Sequence, residues 1–120
     1  FVYPVNMGED TDQSGNQPVD LHVCPVLDRA YGLLGKRWMG LIVDTLRQRP
    51  AHFNELVHAL SISKRVLSAR LKELMEIGVV AREDEGGNIE YSLTESGEML
   101  AGSMDVMREW AIKYLPPTKK

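Results

Sequence analysis

The chain has 120 residues, enough for one domain with its own core, and its apolar and charged fractions of 43% and 26% are those of an ordinary soluble protein. No apolar run approaches the ~18 residues needed to span a membrane, no basic segment leads an apolar stretch as in a secretory signal, and one cysteine excludes an internal disulfide; a reducing, cytoplasmic setting is expected. The formal net charge of −3 argues at first against a polyanionic partner.

Residues 1–20 are acidic and rich in Gly, Asn, Gln and Asp, so a flexible tail is expected there. Phe1, Val2, Tyr3 and Val5 are its apolar exception, either a remnant ahead of Met7 or an arm that docks on a partner. Pro25 suits a helical first turn, and Leu27, Ala30, Tyr31 and Leu34 follow at helical spacing until Gly35. A second helix is predicted from Trp38 to Arg47 with Leu41, Ile42, Thr45 and Leu46 inward, and a turn follows at Pro50. Phe53 to Leu60 reads as a third helix that buries Phe53, Leu56, Val57 and Leu60.

Ser61, Ile62 and Ser63 form a tight connection, and Ser63 can cap a fourth helix. In that helix Leu67, Leu71, Leu74 and Met75 share one face, while Arg65, Ser68, Ala69 and Lys72 lie on or near the opposite one; Gly78 ends it. Val79 to Glu83 and Ile89 to Leu93 read as strands joined at Gly86, Gly87 and Asn88, residues that tolerate positive φ. Thr94 then caps a last helix with Leu100, Met104, Met107, Ala111 and Tyr114 as a stripe and Trp110 beside it, ended by Pro116 and Pro117.

The order is three helices, a basic helix, a hairpin and a helix. This is a mainly α fold with a small β-hairpin, and the third and fourth helices form a helix-turn-helix to which the hairpin adds a wing. The charge is unevenly placed. Residues 36–72 hold eight bases and two acids, whereas residues 73–120 hold five bases and ten acids. A helix that shows water small and cationic residues suits a DNA major groove.

Four segments carry a family likeness. CPVLDRAYGLLGKRW at 24–38 resembles the opening signature of the HxlR-type bacterial transcription regulators, a branch near the MarR regulators. FNELVHAL at 53–60, LSARLKELMEIGVV at 67–80 and IEYSLTESG at 89–97 resemble the same family in the same order, so the likeness covers about residues 22–115. It implies a homodimer on a pseudo-palindromic operator, with the fourth helix in the major groove and the wing at the neighbouring minor groove. The terminal helices would build the dimer, which places Leu27, Tyr31, Leu100, Met104, Met107, Trp110 and Tyr114 at its interface. Two departures stand out. The 61–63 connection lacks a Pro-Gly common in relatives, and the wing REDEGGNIE holds four acids and only Arg82 as a useful cation.

The residues expected on DNA are Arg65 and Lys72 for base edges or phosphates, Ser68 for either, and Ala69 for close approach and a thymine methyl. Lys64 and Arg70 are assigned to phosphate, with a salt bridge to Glu73 or Glu76 as the alternative for Arg70. Lys36, Arg37, Arg47 and Arg49 are further possible phosphate contacts. Cys24 opens the first helix, where the dipole favours a thiolate. The resemblance implies a sensor here, since many relatives use this position to sense oxidants, quinones or aldehydes. Without a second cysteine the routes are an intersubunit disulfide, a mixed disulfide or an adduct; the alternative is a small buried apolar residue. His22 and Cys24 alone make too small a ligand set for a metal, and no nucleophile elbow, phosphate loop or carboxylate pair suggests catalysis. Two other functions stay open. One is a small-molecule effector near Trp38 and Trp110; the other is a winged-helix module that binds a protein through its acids.

Overall fold

The computed structural model describes residues 20–118, so all of the expected tail but Asp20 lies outside the described residues. The chain divides at Gly35 and Lys36 into two compact units. In the first, Pro25 opens α1 (Pro25–Leu34), which buries none of its residues. Cys24 is its N-cap, and its Sγ accepts a hydrogen bond from the Leu27 N–H at 3.5 Å.

The second unit contains α2 (Met39–Gln48), α3 (Phe53–Leu60), α4 (Lys64–Glu76), β1 (Val80–Glu85), β2 (Asn88–Leu93) and α5 (Glu95–Tyr114). No helix among the described residues is long and apolar enough to cross a membrane. α2 starts one residue later than expected because Trp38, at φ 81°, lies in the left-handed region and cannot be helical. Its core face is therefore Met39, Ile42, Val43 and Leu46, at i, i+3, i+4 and i+7. Leu41, expected to point inward, is 53% exposed, and Thr45 is half-buried. In α3 only Leu56 is fully buried; Phe53, Val57 and Leu60 are half-buried, as befits a short helix on the surface.

The α3–α4 connection is tight because Ser61 takes a left-handed C-cap at φ 52°, Ile62 drops into the core, and the Ser63 hydroxyl accepts from the Val66 N–H at 3.1 Å. α4 then seats Leu67, Leu71 and Leu74 with almost no residual exposure, each burial stabilising by about 1.5–3 kcal/mol. Met75 is only half-buried.

The two strands are antiparallel and in register from Val80 opposite Leu93 to Glu85 opposite Asn88. The turn is the pair Gly86–Gly87 at φ 60° and 89°, a conformation that matches strand twist and that most side chains resist. One wing face carries Val80, Tyr91, Leu93 and Ile89 towards the core. The other carries Glu83 directly opposite Glu90. A bridge between Ala51 and Tyr91, which periodicity had not suggested, adds a rudimentary third strand.

Thr94 ties the wing to α5. Its hydroxyl donates to the Gly78 carbonyl at 2.6 Å and accepts from the Gly97 N–H at 3.1 Å. Gly97 sits so close to the wing's base that a Cβ there would meet the Val79 carbonyl oxygen at 2.3 Å. The α5 stripe splits in two. Gly97, Ala101 and Met104 are buried, whereas Met107, Trp110 and Tyr114 are exposed. The split falls at an ionic cluster that fastens α5 to α2: Arg47 pairs with Asp105, and Arg108 bridges Asp105 and Asp44. The hydrogen bond from Arg47 holds the Asp105 carboxyl below its ordinary range, and Asp44 raises the Arg108 guanidinium.

Candidate nucleic-acid interface

The apolar face of α4 is fixed in the core, so the rotation of the helix leaves its residues little choice of direction. Arg65, Ser68, Ala69 and Lys72 are exposed on the surface away from Leu67, Leu71 and Leu74, and Lys64 is exposed at the first position of the helix. Among the described residues, Lys64, Arg65 and Lys72 form no salt bridge. Positive side chains without internal partners beside a small, close-approaching surface can take phosphates and base edges in a groove.

Arg70 is placed differently. It is half-buried; its Nε donates to the Arg37 carbonyl at 2.9 Å, and its Nη1 lies 3.4 Å from a Glu73 carboxylate oxygen. Its guanidinium is thus engaged within the protein, the salt bridge to Glu73 being the alternative that the i, i+3 spacing allowed. The same holds for most of the cations upstream. Lys36 pairs with Glu73 at 3.1 Å, Arg47 with Asp105, and Arg49 reaches both Glu55 oxygens at 3.2 and 2.9 Å. Arg37 stacks over the Trp38 ring at 4.4 Å from its centroid. Among the described residues, the cations of 36–72 outside any salt bridge are therefore Lys64, Arg65 and Lys72 on α4 and Arg37 on its Trp38 ring. The Arg47–Asp105 pairing joins residues 58 positions apart, and no local sequence signal announces it.

The wing offers little to phosphate. Arg82 is exposed on β1, but Glu83, Asp84 and Glu85 follow it and are exposed as well. The wing is nevertheless firmly mounted. His52 Nδ1 donates to the Ile89 carbonyl at 2.8 Å, its Nε2 lies 4.0 Å from Glu90, and its backbone N–H donates to Glu55 at 2.8 Å. Glu55, bound by Arg49 and by that N–H, titrates at about 2 instead of 4.5. His52 carries no local sequence signal for this role, because histidine is not a preferred N-cap and its Ile89 partner lies 37 positions away.

The remaining site residues fall into three groups. Leu27 and Tyr31 are exposed on α1. Met107, Trp110 and Tyr114 are exposed on the free half of α5, together with Val106 and with Ile112 at 77%. Leu100 is half-buried and Met104 is 8% exposed, so the Met104 side chain fills the domain core and does not stand on an open face. Cys24 is half-buried at the start of α1, and its sulfur faces the helix's first free N–H groups.

Comparison with known proteins accords with this geometry. The model of the HxlR-like helix-turn-helix family matches residues 33–119. An uncharacterised HTH-type transcriptional regulator of Bacillus subtilis, YvaP, is 41% identical over 100 residues, covering 80% of this chain and 93% of that protein. The reduced form of the B. subtilis transcriptional regulator YodB superposes with a TM-score of 0.72 at 35% identity, covering 82% of this chain and all of YodB. The quinone-bound YodB crystal structure superposes at 0.66 with 39% identity, covering 77% of this chain and all of that one.

Proposed function

This chain belongs to the HxlR-like helix-turn-helix family and is a DNA-binding transcription regulator, and from that premise we propose that it acts as a homodimer on a pseudo-palindromic operator, with Cys24 as the thiol through which oxidants, quinones or aldehydes alter its DNA affinity. The observation that carries the DNA reading is the outward surface of α4, where Arg65 and Lys72 are exposed around Ser68 and Ala69, with Lys64 exposed at the helix start, and none of the three is in a salt bridge among the described residues. One such helix reads one half-site, and two half-sites about one helical turn apart require two copies.

The dimer reading is supported by apolar surface that the single chain leaves in water. Met107, Trp110 and Tyr114 are exposed on α5 and, separately, Leu27 and Tyr31 are exposed on α1, and exposed apolar residues grouped on a helix in this way support an interface on each. Met104 is left out of that interface because the domain core already holds it.

The effector reading rests on Cys24. Its sulfur caps the N-terminus of α1, 3.5 Å from the Leu27 N–H, and is half-buried, so part of it meets solvent. YodB, similar in sequence and fold, has been crystallised reduced and quinone-bound. Electrophile addition to the thiolate, or its oxidation, would remove the cap from α1 and change the surface next to it.

A titration of the neighbouring promoter duplex tests both parts. With three phosphate contacts per α4 and two copies, the logarithm of affinity should fall against log salt with a slope of about −5. Diamide or a quinone should shift the affinity of the wild type and leave Cys24→Ser unmoved. A flat salt response would overturn the α4 reading, and an equal oxidant response in both proteins the Cys24 reading.

A further inference from the structure

The chain passes from α1 to α2 through Lys36, Arg37 and Trp38, and this connector is held by the recognition helix itself. Arg70 Nε donates to the Arg37 carbonyl at 2.9 Å. One turn along α4, Glu73 accepts from Lys36 Nζ at 3.1 Å with one oxygen and lies 3.4 Å from Arg70 Nη1 with the other. Two side chains of α4 thus grip a backbone carbonyl and a side chain of consecutive connector residues. The next residue, Trp38, stands at φ 81°, a conformation a bulky residue keeps only when its surroundings impose it, and the Arg37 guanidinium lies over its ring at 4.4 Å.

We propose that Arg70 and Glu73 are positioning residues that couple the orientation of α4 to the Lys36–Trp38 connector, rather than residues that read DNA. The proposal rests on the reading of α4 as the helix that enters the groove. Arg65, Ser68, Ala69 and Lys72 face outward, while Arg70 and Glu73, three residues apart on the flank, face the connector. The arrangement has a functional consequence. Since the connector is the covalent exit of α1, a displacement at its end reaches α4 within one protomer, without passing through α5. The coupling is reciprocal: DNA that fixes α4 must also quieten the connector.

Amide hydrogen exchange on the full chain, free and saturated with the promoter duplex, reads this directly. Anisotropy titration of the duplex sets the concentration at which each variant is saturated. In the wild type, the duplex should slow exchange in peptides covering 36–39 by about 5-fold or more, alongside peptides of α4. In Glu73→Gln, an isosteric change, and in Arg70→Met, the α4 peptides should remain protected while protection of 36–39 is lost. A merely structural tie would speed exchange of the connector in the free protein and leave its response to DNA intact. Protection of 36–39 that persists in both variants would mean that Lys36 or Arg37 touches DNA directly, and would overturn the proposal. So would an unresponsive connector in the wild type. Absence of protection in α4 itself would instead remove the reading head, a failure visible in different peptides.

Discussion

α4 and the β1–β2 wing are consecutive in the chain and exposed side by side, yet they carry opposite charge for different reasons. α4 holds its apolar residues at helical spacing on one side, Arg65 and Lys72 on the other and Lys64 at its start, and these three cations form no salt bridge among the described residues. The wing places apolar residues on one face and opposes Glu83 to Glu90 on the other, a like-charge pair that costs stability. A structure selected only for folding would avoid that pair. The difference teaches that the two halves of a winged helix-turn-helix are separable: in the proposed reading the helix supplies the affinity for DNA, and the hairpin supplies shape. The Arg49–Glu55 pair and the His52 hydrogen bonds keep that hairpin fixed in place.

The sharpest way to break this comparison is at α4. Arg65→Ala with Lys72→Ala should lower promoter affinity roughly 1000-fold or more at fixed salt, four lost contacts in the proposed homodimer at ~1–3 kcal/mol each, and should flatten the salt dependence. Anisotropy titration measures both, and retention of affinity would return the DNA function to another surface. Next is the join between wing and helix. Gly97→Ala forces a methyl group against the Val79 carbonyl oxygen and should cost about 1–3 kcal/mol or more, read as a lower midpoint in urea. The third effect is smaller and opposite in sign. Glu83→Gln, Asp84→Asn and Glu85→Gln together should raise affinity for nonspecific duplex about 3- to 10-fold by removing repulsion from phosphate. A loss of affinity would instead show that these acids accept from bases.

The last effect concerns the mount of the wing. The Glu55 carboxyl titrates at about 2 in the fold and at 4.5 ordinarily. A depressed carboxylate pKa adds stability that is complete above the ordinary value and drains away as pH falls through the folded one. The thermal midpoint of the wild type should therefore decline between pH 4.5 and 2 more steeply than that of Glu55→Gln, which lacks the Arg49 pair at every pH. Parallel curves would show that the pair contributes nothing to the fold.

Local patterns were legible wherever one residue decides one event. Pro25 opened α1, Ser63 and Thr94 capped α4 and α5, and Gly86 and Gly87 turned the hairpin. The reading slipped where an outcome depends on what lies opposite. Leu41 obeys helical spacing as well as Val43 does, but a start at Met39 sets the phase of α2 and leaves Leu41 in water. The α5 stripe is continuous in sequence, yet only its first half has a domain to cover it. Charge was the least legible property. Lys36, Arg47, Arg49 and Arg70 resemble Arg65 and Lys72 in sequence, and they differ only through carboxylates and carbonyls that tertiary structure brings to them.

The split in α5 makes this helix a lever. Its fulcrum is the cluster of Arg47, Asp105, Arg108 and Asp44, and its free arm runs from Asp105 to Tyr114. At 1.5 Å per residue that arm is roughly 14 Å long, so a tilt of about 10° at the fulcrum swings its tip by about 2 Å. The four charged side chains therefore govern how much tilt a given push can produce, and the length of the free arm sets how far the tip then swings.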